Sequence, residues 1–137
     1  MATYYRSSGL RTKELKTIQP DVKCFPSHHG VRFAQHLVQL CGAILFNLDG
    51  CVKHWRKICD APREYSSKEE SSAKGFLNLW QLTGMQAWLT AVMVDIWSIF
   101  RYIEKEAQKP GIIIADILKY RDVALQKFDM MKTKPYP

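Results

Sequence analysis

From Val31 onward, apolar residues recur at three- and four-residue steps. Phe33, Leu37, Leu40, Cys41, Ile44, Leu48, Cys51, Val52, Trp55, Ile58 and Cys59 fall on one stripe, the period of an α-helix. Asp49-Gly50 lies inside the stripe without breaking its phase. The pattern therefore predicts one helix with a weak point, about 1 kcal/mol for the glycine, and leaves a two-helix reading open. Asp60-Ala61-Pro62 ends it, because proline cannot continue the ladder.

Three further helices follow. Ser66 and Ser67 each stand three residues before a glutamate, Glu69 or Glu70, the spacing of a capping box. The second helix runs from there to about Leu82, with Phe76, Leu79 and Trp80 turned inward. Thr83-Gly84-Met85-Gln86 offers another capping box. The third helix reaches about Gln108 on a stripe of Met85, Trp88, Leu89, Val92, Ile96, Ile99 and Ile103. Ala87, Ala91, Val94, Trp97 and Phe100 make much of its other side apolar, so this helix is expected at the centre of a bundle or buried in an assembly. Lys109-Pro110-Gly111 stops it. The fourth helix is Ile112–Met131, with Ile114, Ile117, Leu118, Leu125 and Phe128 facing in.

The ends lack this periodicity. Residues 1–30, broken by Ser7-Ser8-Gly9, Pro20, Pro26 and Gly30, read as an extended arm with at most a helical turn around Arg11–Ile18. Residues 132–137 read as a loose basic tail. The expected architecture is all-α: a bundle of about four helices over residues 31–131, carrying a basic N-terminal arm.

Charge sharpens this picture. The net charge is +7, of which residues 1–32 carry +4, from six basic and two acidic side chains. Such clustering suits nucleic acid, an anionic membrane surface or an acidic protein. Arg6, Arg11, Lys13, Lys16, Lys23 and Arg32 are the candidate phosphate contacts of the arm. Lys53, Arg56, Lys57 and Arg63 form a second cluster around Trp55, which is in phase with the core stripe and expected inside it. Tyr4 and Tyr5 beside Arg6 could stack on bases or anchor the arm on a neighbour. Trp80, Trp88, Trp97 and Phe100 are the candidate assembly interface. Gly75–Val94 is uncharged and long enough for a membrane span, but its polar side chains argue against one.

Candidate chemistry is sparse. Cys51, His54 and Cys59 share a helix face, and Cys24, His28 and His29 lie close in sequence, but neither set has zinc-finger spacing. Core cysteines beside a surface histidine are the ordinary reading, and no metal or cofactor is expected. Asp95 is the single charge within residues 75–100. It reads as an inter-helix or inter-subunit partner rather than half of a catalytic pair. The chain carries no phosphate loop or nucleophile elbow, and an enzyme is not expected. The first ten residues lack an apolar segment, so export through a signal peptide is not expected. An intracellular or virion location is.

A basic arm bearing Arg6, Arg11, Lys13, Lys16 and Lys23, followed by helices from Val31, resembles the coat proteins of filamentous archaeal DNA viruses. The resemblance implies an arm and first helices that wrap the genome and paired subunits that enclose it. The expected function is a non-enzymatic structural protein that packages nucleic acid, DNA in preference to RNA, and self-assembles through apolar helices. The alternative is a helical interaction subunit of a larger protein or membrane-associated complex.

Overall fold

A computed structural model describes residues 1–27, 33–61, 63–82 and 84–133. Over these residues the chain is all-α, with no strand. Its helices are α1 (Ala2–Arg6), α2 (Gly9–Ile18), α3 (Phe33–Phe46), α4 (Leu48–Asp60), α5 (Ser67–Leu77), a π-helical turn (Asn78–Leu82), α6 (Met85–Ala107) and α7 (Ile114–Thr133). The expected bundle of about four helices is thus seven helices among the described residues.

The largest departure is at the N-terminus. Over residues 2–18 the basic segment is two helices built into the core, in place of an arm, whereas residues 19–27, the stretch holding Pro20 and Pro26, are non-helical. The Ser8 side chain caps α2 by accepting from the Arg11 amide, and Thr12 Oγ1 donates to the Tyr5 carbonyl, tying α2 back onto α1. Tyr5 and Leu15 are 1% and 0% exposed. Around them lie Phe25, Cys51, Trp55, Ile58 and Ala73, with Phe76 stacked on Trp55. α2 buries a single residue, so it shows no stripe that periodicity could detect. Leu, Arg, Lys and Glu behind the Ser8 cap favour the helix locally, and tertiary packing holds what is too short to persist alone.

The long first helix is interrupted at Asn47, dividing it into α3 and α4. The cause is visible in the side chain, which is fully buried. Its Nδ2 donates to the Lys23 carbonyl at 2.7 Å, and its Oδ1 accepts from the Lys23 amide at 2.9 Å. Asn47 thereby pairs like a strand residue with the segment returning from α2. Gly50 permits close approach of α2 to α4: a Cβ there would lie 2.3 Å from Gln19 Oε1. The glycine read from sequence as a weak point is a packing contact.

α5 opens with the expected capping box. Ser66 Oγ accepts from the Glu69 amide, and the Glu69 carboxylate accepts from the Ser66 amide. α6 is entered through Gly84 in the left-handed region, φ 60°, without a side-chain cap. Thr83 of the expected second box lies outside the described residues, as do His28, His29, Arg32 and most of the tail.

Two packing groups result. α1, α2, α4 and α5 close around Trp55. α3 leaves that group to run along α6, and α7 folds back on α6. The second group is open on one side. Met85, Trp88 and Leu89 of the third predicted stripe are exposed, as are Ile114, Ile117, Leu118 and Leu125 of the fourth and Leu79 before them. Leu79 and the α7 residues are expected from sequence to face in, but among the described residues nothing covers this face.

Candidate interaction surfaces

The basic residues divide between exposed and half-buried positions. Lys13 and Lys16 on α2, Lys53, Arg56 and Lys57 on α4, and Arg6, Lys23 and Arg63 in the adjoining segments are exposed. Several are engaged locally. Lys53 pairs with Asp49 at 2.6 Å, Arg6 donates to the Pro26 carbonyl, and the Lys23 ammonium sits 4.0 Å over the Phe46 ring. Arg11 is half-buried and committed to an ion pair. Its Nε and Nη2 both donate to Glu69 Oε1 at 3.2 Å, and its guanidinium lies 4.2 Å over the Tyr4 ring. The Glu69 carboxyl is held below its usual range by the Ser66 hydrogen bonds first and by Arg11 after them. A cleft of about 570 Å³ lined by Thr3, Tyr4, Arg11, Ser66 and Glu69 therefore already contains the anion its donors call for.

Between the basic helices lies a polar chain that sequence reading missed. Tyr5 donates to His54 Nδ1 at 3.0 Å, and His54 Nε2 is 3.1 Å from Glu14 Oε2. Tyr65 donates to the other Glu14 oxygen at 3.2 Å. Burial lowers the His54 pKa more than the Glu14 hydrogen bond raises it. A neutral ring fits both contacts: Nδ1 accepts from the phenol while Nε2–H donates to the carboxylate. His54 was read as a surface neighbour of Lys53 and is 0% exposed. The only hint in sequence was its position one turn from Cys51 and Ile58.

The metal reading finds no site. Among the described residues, no three His, Cys, Asp or Glu side chains converge. Cys51 sits in the core with its thiol pushed up to about 12 by burial, which disfavours the thiolate that a metal or a nucleophile needs. Asp95 is exposed on α6. Among the described residues no helix is long and apolar enough to cross a membrane.

The four aromatic residues proposed for assembly separate into pairs. Trp80 packs against the Trp55 core. Trp97 is half-buried, with Phe33 and Phe100 each 5.4 Å from it between ring centroids. Trp88 and Phe100 remain exposed. Met85, Leu89, Met93 and Phe100 share one face of α6, since their separations of four, four and seven residues stay in phase with the helix. On α7, Ile114, Leu118 and Leu125 do the same. The stripes meet where Phe100 contacts Phe128, 5.9 Å between centroids. These residues with Trp88 and Ile117 are 38–77% exposed. At about 200 Å² for a fully exposed large residue, the nine together expose on the order of 900 Å².

Comparison of the chain with protein-family models, with curated proteins and with solved structures gives no match.

Proposed function

We propose that this protein is a non-enzymatic helical subunit that works by association, burying the α6–α7 face against a partner. The exposed apolar residues of α6 and α7, helices joined by the Phe100–Phe128 contact, carry the reading. Their combined exposure of roughly 900 Å² compares with the about 800 Å² that each side of a standard interface contributes, and an apolar area of that size favours removal from water. Tyr5, His54, Glu14 and Tyr65 are hydrogen-bonded to one another, which suits a structural role.

The test compares the wild-type chain with Leu118→Glu/Leu125→Glu by sedimentation velocity and by flotation with lipid vesicles. Association of the wild type, lost in the variant with helix content retained, supports the reading. A wild-type chain that stays monomeric and ignores vesicles refutes it.

A second reading, nucleic-acid binding with DNA preferred, draws on Lys13, Lys16, Lys53 and Lys57, exposed on the contacting helices α2 and α4. In it these side chains, rather than an extended arm, neutralise phosphates. Fluorescence anisotropy with a short duplex and a single strand, at about 50 mM and about 200 mM salt, decides it, because phosphate contacts make affinity fall steeply over that range. Absence of binding at the lower salt removes this reading and the coat-protein design with it.

A further inference from the structure

We propose that the cleft between α2 and the extended strap of residues 22–25 binds a small amphipathic anion, a carboxylate or phosphate head on a short apolar body. The site is separate from the α6–α7 face and does not depend on its association.

Three segments build the cleft. α1 ends at Arg6, α2 presents Thr12, Leu15 and Lys16, and the strap supplies Val22, Lys23, Cys24 and Phe25. Its volume is about 220 Å³, the share of about seven waters in the liquid, which is room for one small organic molecule. The walls are held in place before any ligand arrives. Both backbone groups of Lys23 pair with the buried Asn47 side chain, and Thr12 ties α2 to α1. Arg6 Nη1 donates to the Pro26 carbonyl at 3.5 Å, which fixes the guanidinium beside the strap. A guanidinium has five N–H donors, so others remain for a ligand.

The charge of the lining is one-sided. Three of its residues are cationic and none is acidic. Arg11, Lys53, Lys74 and Arg121 each pair with a carboxylate, whereas among the described residues Arg6, Lys16 and Lys23 pair with none. The Phe46 ring under the Lys23 ammonium brings no net charge. Glu14, the acid of α2, is engaged by His54 and Tyr65, and Asp21 is not part of the lining. A cleft lined by one sign of charge over low-dielectric walls concentrates its field and gathers counter-ions. The rest of the wall sets the other end of the ligand. Leu15, Val22 and Phe25 are apolar, and the methylene stems of Lys16 and Lys23 extend that surface. A bare inorganic anion leaves it unused, whereas a short acyl or aryl body removes it from water.

The test titrates the isotopically labelled full chain with hexanoate, hexyl phosphate, acetate and hexanol at fixed ionic strength, following backbone amide shifts. Saturable shifts at Thr12, Lys16 and Val22 are expected with a hexyl anion, and the tighter of the two identifies the head group. Acetate should bind about ten-fold more weakly, the effect of roughly two buried methylenes. Lys16→Gln and Lys23→Gln should each weaken the hexyl anion roughly five-fold with unchanged far-UV circular dichroism. Arg56→Gln, exposed on α4 and outside the cleft, should leave it unchanged. Acetate as tight as hexanoate overturns the apolar half of the site, and hexanol as tight overturns the anionic half. Equal weakening by Arg56→Gln means diffuse attraction to a basic surface and overturns the site. So does the absence of saturable shifts with either hexyl anion.

Discussion

Removing residues 1–18 should unfold the Trp55 layer rather than trim an appendage. The deletion takes away Tyr5 and Leu15, which are 1% and 0% exposed. Full burial of side chains of this size contributes about 2–3 kcal/mol each, so about 5 kcal/mol is lost from these two. Both nitrogens of His54 lose their partners, Tyr5 and Glu14, and an unsatisfied buried group costs a further 1–3 kcal/mol or so. The total of roughly 6–8 kcal/mol lies within the whole stability of a typical domain, about 5–15 kcal/mol. Far-UV circular dichroism and urea titration of the full-length and truncated chains measure it. The truncated chain should show lower helix content per residue and a transition shifted to much lower urea. Coincident urea midpoints would refute the reasoning and restore the picture of a dispensable arm.

Stability should fall on mild acidification. Burial, the larger influence, holds the His54 pKa below its ordinary 6.5, so the unfolded chain takes up a proton that the folded chain refuses. The loss begins as pH drops through about 6.5 and is complete below the folded pKa. Urea midpoints at about pH 7.5 and about pH 5.5 should differ in the wild type and differ less in His54→Gln. Asn47→Ala should cost about 2–4 kcal/mol by leaving both Lys23 backbone groups unpaired. Asn47→Asp would set a carboxylate oxygen against the Lys23 carbonyl in a fully buried position, so its urea midpoint should fall at least as far as that of alanine.

Legibility in the sequence followed how many residues cooperate in a signal. The Cys51–Trp55–Ile58 face of α4 and the Ser66–Glu69 box were readable because several positions repeat one message. Tyr5 and Leu15 are single anchors in polar surroundings, and the pairing of Asn47 with Lys23 spans 24 residues. No local pattern carries either. Periodicity on α6 and α7 located the apolar stripes but could not say what covers them, because a stripe that meets a core and one that meets another molecule have the same spacing. The basic N-terminus misled for a related reason. Charge on the outside of α2 hides one fully buried leucine.

The pairing of distant segments also sets an order of events during synthesis. α1 and α2 close on α4 and α5, while α3, lying between them in sequence, closes on α6. Neither group is a continuous stretch of chain. Arg11 meets Glu69 across 58 residues, and Gln35 meets Glu104 across 69. At about 5–20 residues per second, the first two helices wait roughly 3–12 s for the segment that buries them. Through that interval Tyr5 and Leu15 stand in water on a nascent chain that has no core to offer them. Slower elongation between α2 and α5 prolongs that exposure and with it the opportunity for misassociation.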